Sequence, residues 1–246
     1  SYPEDFGIVH YSVSARLGGQ TMQRDGKMRN GLFADNSYGK SKTAKFLEGG
    51  FKASGDFNLG GGNTLTLGMG YDMHAPSAST AFYAPEVNND FVMNLHNERL
   101  FSSEVGYQFL NSWLHANINA YYNYMSNVTE WNCFYFDDIN SFSYNSLSGL
   151  RKESYGIEGA LKFKLASFLD LKLLGTISEA KNISSANVIY LNSTEGVYSA
   201  PDEAFVKGMR EDGTPLTATS IALSYHKGGW FIDLNGNWYD RSYLSY

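Results

Sequence analysis

A two-residue period in polarity constrains this chain more than any other feature. From Leu114 to Met125 it reads LHANINAYYNYM, with Leu114, Ala116, Ile118, Ala120, Tyr122 and Tyr124 alternating with His115, Asn117, Asn119, Tyr121 and Asn123. Successive side chains of a strand point to opposite faces, so this segment is a β-strand with one dry and one wet side. The pattern recurs near 7–17, 46–58, 64–73, 100–109, 153–164, 168–180, 216–226 and 229–240. Leu47, Phe51, Ala53 and Phe57 oppose Glu48, Lys52, Ser54 and Asp56; Ile157, Leu161 and Phe163 oppose Glu158, Lys162 and Lys164. Leu171, Leu223 and Leu234 are expected to share the dry face with Ile118 and Leu161, with Asn119, Lys162, Lys172 and Asp233 opposite. No charge is expected on the dry face. That face must meet either a protein core or lipid.

The connections decide between the two. Short turns fall at LGGGN (59–63), LNS (110–112), LAS (165–167) and KGG (227–229). Between these hairpins lie connections covering about 18–45, 74–99, 126–152 and 181–215, far longer than ordinary hairpin loops. All tight turns at one end and all long loops at the other is the habit of outer-membrane barrels, and strands of this length suit a tilted crossing. Phe57, Phe109, Trp113, Phe163, Phe168, Tyr225 and Trp230 lie beside the short turns. Tyr11, Tyr71, Tyr122, Tyr124, Tyr155 and Trp238 are placed towards the long loops, so both interfaces carry amphipathic rings. The sequence therefore predicts an all-β, antiparallel up-and-down meander within a large transmembrane β-barrel. Nine strands leave the last at the outer end, whereas single-chain bacterial barrels have even strand numbers. Residues 1–246 are thus expected to be one partial barrel domain, with a final strand after Tyr246 and further strands before Ser1.

Composition excludes other classes. A net charge of -6 gives no basis for nucleic-acid binding, and the single cysteine, Cys133, rules out an internal disulfide framework. No apolar run approaches the roughly 20 residues of a membrane-spanning helix. The five histidines, His10, His74, His96, His115 and His226, lack paired metal-ligand spacing. Neither a nucleophile nor a carboxylate dyad stands out, so no catalytic residue, metal or cofactor is assigned.

The wording of particular segments carries a family resemblance. NERLFSSEVGYQF (97–109) resembles a signature of TonB-dependent receptors, in which a Leu-x-Pro-Glu turn leads into a Glu-x-Gly-Tyr strand. Here the turn is Leu95-His96-Asn97-Glu98, without the proline, while Glu104-Val105-Gly106-Tyr107 matches. GKMRNGLFADNSYGKSK (26–42), HAPSASTAFYAPEVNND (74–90) and DGTPLTATSIALSYHKGGWFIDLNGNWYDRSYLSY (212–246) extend it. The chain is similar to the C-terminal barrel half of receptors with an N-terminal carboxypeptidase-regulatory-like domain. The resemblance implies a barrel of about 22 strands closed by a plug, neither plug nor TonB box being visible here. It implies energised uptake of a scarce nutrient (a siderophore, corrinoid, glycan or peptide) across the outer membrane of a Gram-negative bacterium. Its implied partners are outer-membrane lipid, the TonB energy-transducing complex acting through the plug, the nutrient and a surface lipoprotein.

One loop carries candidate ligand-binding residues. In TEWNCFYFDDINSF, Trp131, Tyr135, Asp137 and Asp138 combine rings and carboxylates that could stack on and hydrogen-bond a sugar or chelate. Packing against neighbouring loops is the plainer use of such residues. A soluble carbohydrate-binding β-sandwich and a structural or adhesive outer-membrane protein are the alternative readings.

Overall fold

A computed structural model describes residues 9–137 and 140–244. In chain order the strands are β1 (Val9–Met22), β2 (Asp25–Gly26), β3 (Gly39–Lys40), β4 (Ala44–Gly60), β5 (Asn63–His74), β6 (Glu98–Leu110) and β7 (Leu114–Phe136). They continue as β8 (Ser141–Ala166), β9 (Leu169–Asn182), β10 (Ala186–Asn192), β11 (Val197–Tyr198), β12 (Asp202–Ala204), β13 (Thr217–Lys227) and β14 (Trp230–Asp240). An antiparallel meander runs β1-β4-β5-β6-β7-β8-β9-β13-β14 and forms an open wall whose edges are β1 and β14. The all-β meander read from the sequence is therefore the fold.

Register follows polarity. Leu161 faces Leu173, Phe163 faces Leu171, Leu171 faces Leu223, and Leu223 faces Leu234. Lys162 faces Lys172, and Asn119 faces Glu158. Antiparallel partners share a side, so apolar and polar rows lie on opposite faces across the whole wall. At the short-turn end Gly228 and Gly229 take φ of 63° and 82°, the pair of left-handed residues that matches a two-residue turn to strand twist.

The apolar band has two marked margins. At the short turns Trp113 stacks on Phe163 at 6.3 Å between centroids, and Phe168 meets Tyr225 edge-on at 5.7 Å. Tyr11 belongs to this end, since it pairs with Gly55 near the β4–β5 turn; the sequence placed it at the other. The upper margin corrects a second expectation, because Glu153 and Glu179 occupy dry-face positions. They form a rim of ion pairs, Glu153 with Lys181 at 3.3 Å and Glu179 with both Arg210 and Arg241. Between girdle and rim, Leu169 to Ile177 spans roughly 20–25 Å along the barrel axis at strand rise and tilt, close to an outer-membrane apolar band.

Above the rim the structure departs from the loops expected. Segment 126–152 is a hairpin: β7 and β8 run on past the wall and stay paired to Phe136 and Ser141. Register shifts break the ladder between Met125 and Val128, and again between Val128 and Glu130. Asn127 and Gly149, with φ of 58° and 74°, lie at these breaks. β10 adds edge to edge to the upper part of β8, and β11 and β12 add to β10, so the sheet widens above the rim.

The packed core lies above the rim, where the upper parts of β7 and β8 and strand β10 meet the connection 75–97 and the upper end of β1. Leu150, Leu191, Ala81 and Ala84 are fully buried, with Phe82, Val188, Val128 and Leu147 nearly so. On the wall Val13, Leu17, Met69, Ile118 and Ile157 remain open. A soluble sandwich would bury one face of such strands. Among the described residues no protein layer covers either face of the wall, and the core is where the connections meet the upper strands.

Candidate functional site

Three connections and the tall hairpin converge into a cap. Arg24 donates to the carbonyls of Ser37 (2.9 Å), Pro85 (2.6 Å) and Glu86 (3.2 Å), and to Asn89 Oδ1 (2.6 Å). It thereby ties 23–43 to 75–97. A guanidinium suits this task because its fixed fork of donors can satisfy several carbonyls at once. Asn36 Nδ2 donates to Asp90 at 2.7 Å, and the Tyr198 hydroxyl donates to the same carboxylate at 2.6 Å while accepting from Asn88 at 2.8 Å. Burial and the Asp90 carboxylate push the Tyr198 hydroxyl far above its ordinary range, and burial raises Tyr83. Both therefore stay protonated; the Tyr198 hydroxyl donates, while that of Tyr83 accepts from the Met93 N–H at 2.8 Å.

The four residues singled out in the sequence separate into two places. Trp131 is partly buried; its indole Nε1 donates to the Tyr83 carbonyl at 2.7 Å and its ring stacks on Tyr144 at 5.8 Å. Tyr135 is half-exposed near the hairpin tip, where its hydroxyl donates to Asn140 and its ring meets Phe142 edge-on at 5.3 Å. Asp137 is exposed in the turn, and Asp138 lies outside the described residues. Trp131 and Asp137 are thus about 20 Å apart along the strand.

Trp131 instead borders a polar pocket of about 310 Å³, shared with Thr80, Glu130, Lys152, Asn182 and Glu211. Lys152 is the hinge of this pocket. Its ammonium donates to Glu130 and, at 2.6 Å, to Glu211, linking β7, β8 and the connection before β13. Burial disfavours the Lys152 charge, but hydrogen bonds to the two carboxylates outweigh it and hold the group above the ordinary lysine range. Sequence reasoning missed the trio because its members lie far apart in the chain; alone, each reads as a surface charge.

Lys152→Ala leaves two carboxylates facing each other. It is expected to cost about 2 kcal/mol, below the full value for a buried pair because Glu211 is partly exposed. Adding Glu130→Gln and Glu211→Gln should restore most of the loss. The raised pKa sets the sign with pH. The contribution is complete below the unfolded lysine pKa and fades as pH rises through the folded value. Limited proteolysis of the outer segments between pH 7 and strong alkali reads both effects.

A second polar line descends the wet face. Arg16 grips Asp72 through two hydrogen bonds of 2.8 Å, His74 Nδ1 lies 3.2 Å from Asp72, and His74 Nε2 lies 3.4 Å from Glu98. This line crosses β1, β5 and β6 and carries the charge pattern of a wetted lumen. Among the described residues no group of three His, Cys, Asp or Glu is placed to hold a metal.

Comparison with known proteins agrees with this architecture. The family model described as TonB dependent receptor-like, beta-barrel matches residues 34–246. No curated protein matches the chain. With an apolar outer face, a wetted inner face, short turns at one end and a packed cap at the other, this chain belongs to the TonB-dependent receptor β-barrel family.

Proposed function

We propose that the chain builds the wall and cap of an energised nutrient importer in the Gram-negative outer membrane, of the type with an N-terminal carboxypeptidase-regulatory-like domain. The observation that carries this reading is the division of labour along the strands. Lipid-compatible residues occupy one face between two margins, charged residues line the other, and every packed contact of the loops lies at the outer end. A cap stabilised by its own core can hold recognition groups still, whereas bare loops could not. The cargo enters at the cap, where the pocket around Lys152 and the tip with Tyr135, Asp137 and Asp138 offer carboxylates, amides and rings. Such groups orient a glycan, peptide, corrinoid or siderophore by hydrogen bonds and stacking.

The open edges of β1 and β14 support further strands on both sides, and hence a partial barrel with its plug and final strand supplied outside 1–246. TonB then works through that plug. A surface lipoprotein is the further partner that fits the exposed cap, and the chain has no enzymatic role. Growth on the nutrient as sole source tests the proposal in three strains: one with the intact receptor, one lacking residues 135–142, and one without TonB. Loss of TonB should abolish growth, and removal of the tip should weaken cargo binding. Undiminished uptake without TonB would make the protein a passive pore.

A further inference from the structure

The lipid-facing side of the wall is not uniformly filled. Gly159 and Gly175 face each other across β8 and β9, in the row that joins Ile118 of β7 to Thr219 of β13. They floor a groove of about 810 Å³ whose sides include Ile157, Leu161, Leu173 and Ile177. Nothing in the chain requires glycine there. Neither residue has positive φ, and a Cβ would meet no atom closer than 3.7 Å at either position. Glycine weakens a strand, so omitting a side chain that would fit without strain leaves room for something outside the protein.

The upper end of the groove names the chemistry. Arg241 reaches its margin, and Arg210 sits beside Lys181 through a backbone bridge that draws the preceding connection onto β9. Arg241 is saturated by Thr217, Glu179 and two carbonyls. Arg210 is not: its Nε is held by Glu179 and its guanidinium lies 5.0 Å above the Tyr243 ring. Among the described residues, neither of its terminal nitrogens has a partner. Lys181, fixed over Tyr155, pairs with Glu153 at 3.3 Å. Donors oriented by rings and carboxylates, two rows above an apolar slot, match a phosphate on an acylated lipid. The vertical offset from the glycine row to the Glu153–Lys181 row is six residues of tilted strand, about 15 Å, within reach of one acyl chain.

We propose that this face binds one phosphorylated outer-leaflet glycolipid, its acyl chain seated over Gly159 and Gly175 and its phosphate held by Arg210 and Lys181. Glu153, Glu179 and, two strands away, Asp240 keep the rim from being a general anion trap, so recognition needs the chain and the phosphate together. The test is native mass spectrometry of the intact receptor in detergent, with bis-phosphorylated lipid A and dephosphorylated lipid A as probes. Wild-type receptor should retain the phosphorylated form at least about tenfold better. Arg210→Gln with Lys181→Gln should abolish that preference and leave binding of the dephosphorylated form unchanged. Gly175→Phe should lower retention of both forms, with heat-modifiable gel migration reporting that the barrel has folded. Should that variant not fold, Gly175→Leu serves in its place. Equal retention of both probes by wild type, or unchanged retention in a folded groove-filling variant, overturns the assignment.

Discussion

Ile118→Arg and Leu173→Arg are each expected to destabilise the receptor in lipid by about 2–4 kcal/mol, the cost of a cation near the midplane of a barrel's outer face. Both residues lie between the aromatic girdle at Phe163 and Phe168 and the charged rim at Glu179, so a long side chain cannot easily reach either interface. Leu171→Arg should cost less, because Leu171 is one row nearer the girdle and its guanidinium can snorkel towards the short turns. Asn119→Arg changes the chain one residue from Ile118 and faces the lumen, where Glu158 lies within reach. Its expected cost is under about 1 kcal/mol. Urea titrations of the full receptor folded into vesicles measure all four. Equal losses for Ile118→Arg and Asn119→Arg would place protein or water, not lipid, against the row containing Ile118.

That contrast between neighbours explains why the wall was legible in the sequence. Lipid on one side and water on the other force strict alternation, and it persists through Leu161, Lys162 and Phe163 and through Leu171, Lys172 and Leu173. The signal fails where the environment changes. At Asn127 and Gly149 the left-handed backbone accompanies breaks in register, and beyond each break the alternation changes phase. The upper strands also face other protein segments, so polar and apolar residues mix according to local contacts. A hairpin with interrupted phase and two-sided packing reads as a loop. Glu153 and Glu179 were hidden for a related reason: they occupy apolar positions by parity, but lie just past the depth at which apolar residues are required.

The candidate site was less legible still, since it depends on contacts between distant segments. Arg24 reaches Pro85, Asp90 gathers Asn36 and Tyr198, and Lys152 gathers Glu130 and Glu211. None of these pairs has a fixed spacing that a strand or helix would impose. The aromatic run from Trp131 to Tyr135 was visible as a cluster, but its division between cap and tip follows from what each ring touches.

Trp131→Ala tests that division and should have the largest effect of any change in the cap. Truncation removes the stack on Tyr144, leaves the Tyr83 carbonyl without its donor and opens a void beside Leu191 and Ala84. For a partly buried tryptophan the expected loss is about 2–4 kcal/mol. That loss should fall on the cap alone, because no lipid-facing row depends on it, and should appear as local opening. Hydrogen exchange is then expected to quicken across 81–92 and 186–191 while the strands between Leu161 and Leu173 keep their protection. Cargo affinity should fall with it, through loss of the surface that holds the recognition groups. Tyr135→Ala supplies the contrast: it removes one ring and one hydroxyl at the tip, where Tyr135 meets Phe142 and Asn140. If Tyr135 contacts cargo, affinity drops while exchange across 81–92 is unchanged. Should Trp131→Ala weaken cargo binding without quickening exchange there, its indole is itself a cargo contact, and the support assigned to it through Tyr83 and Tyr144 is wrong.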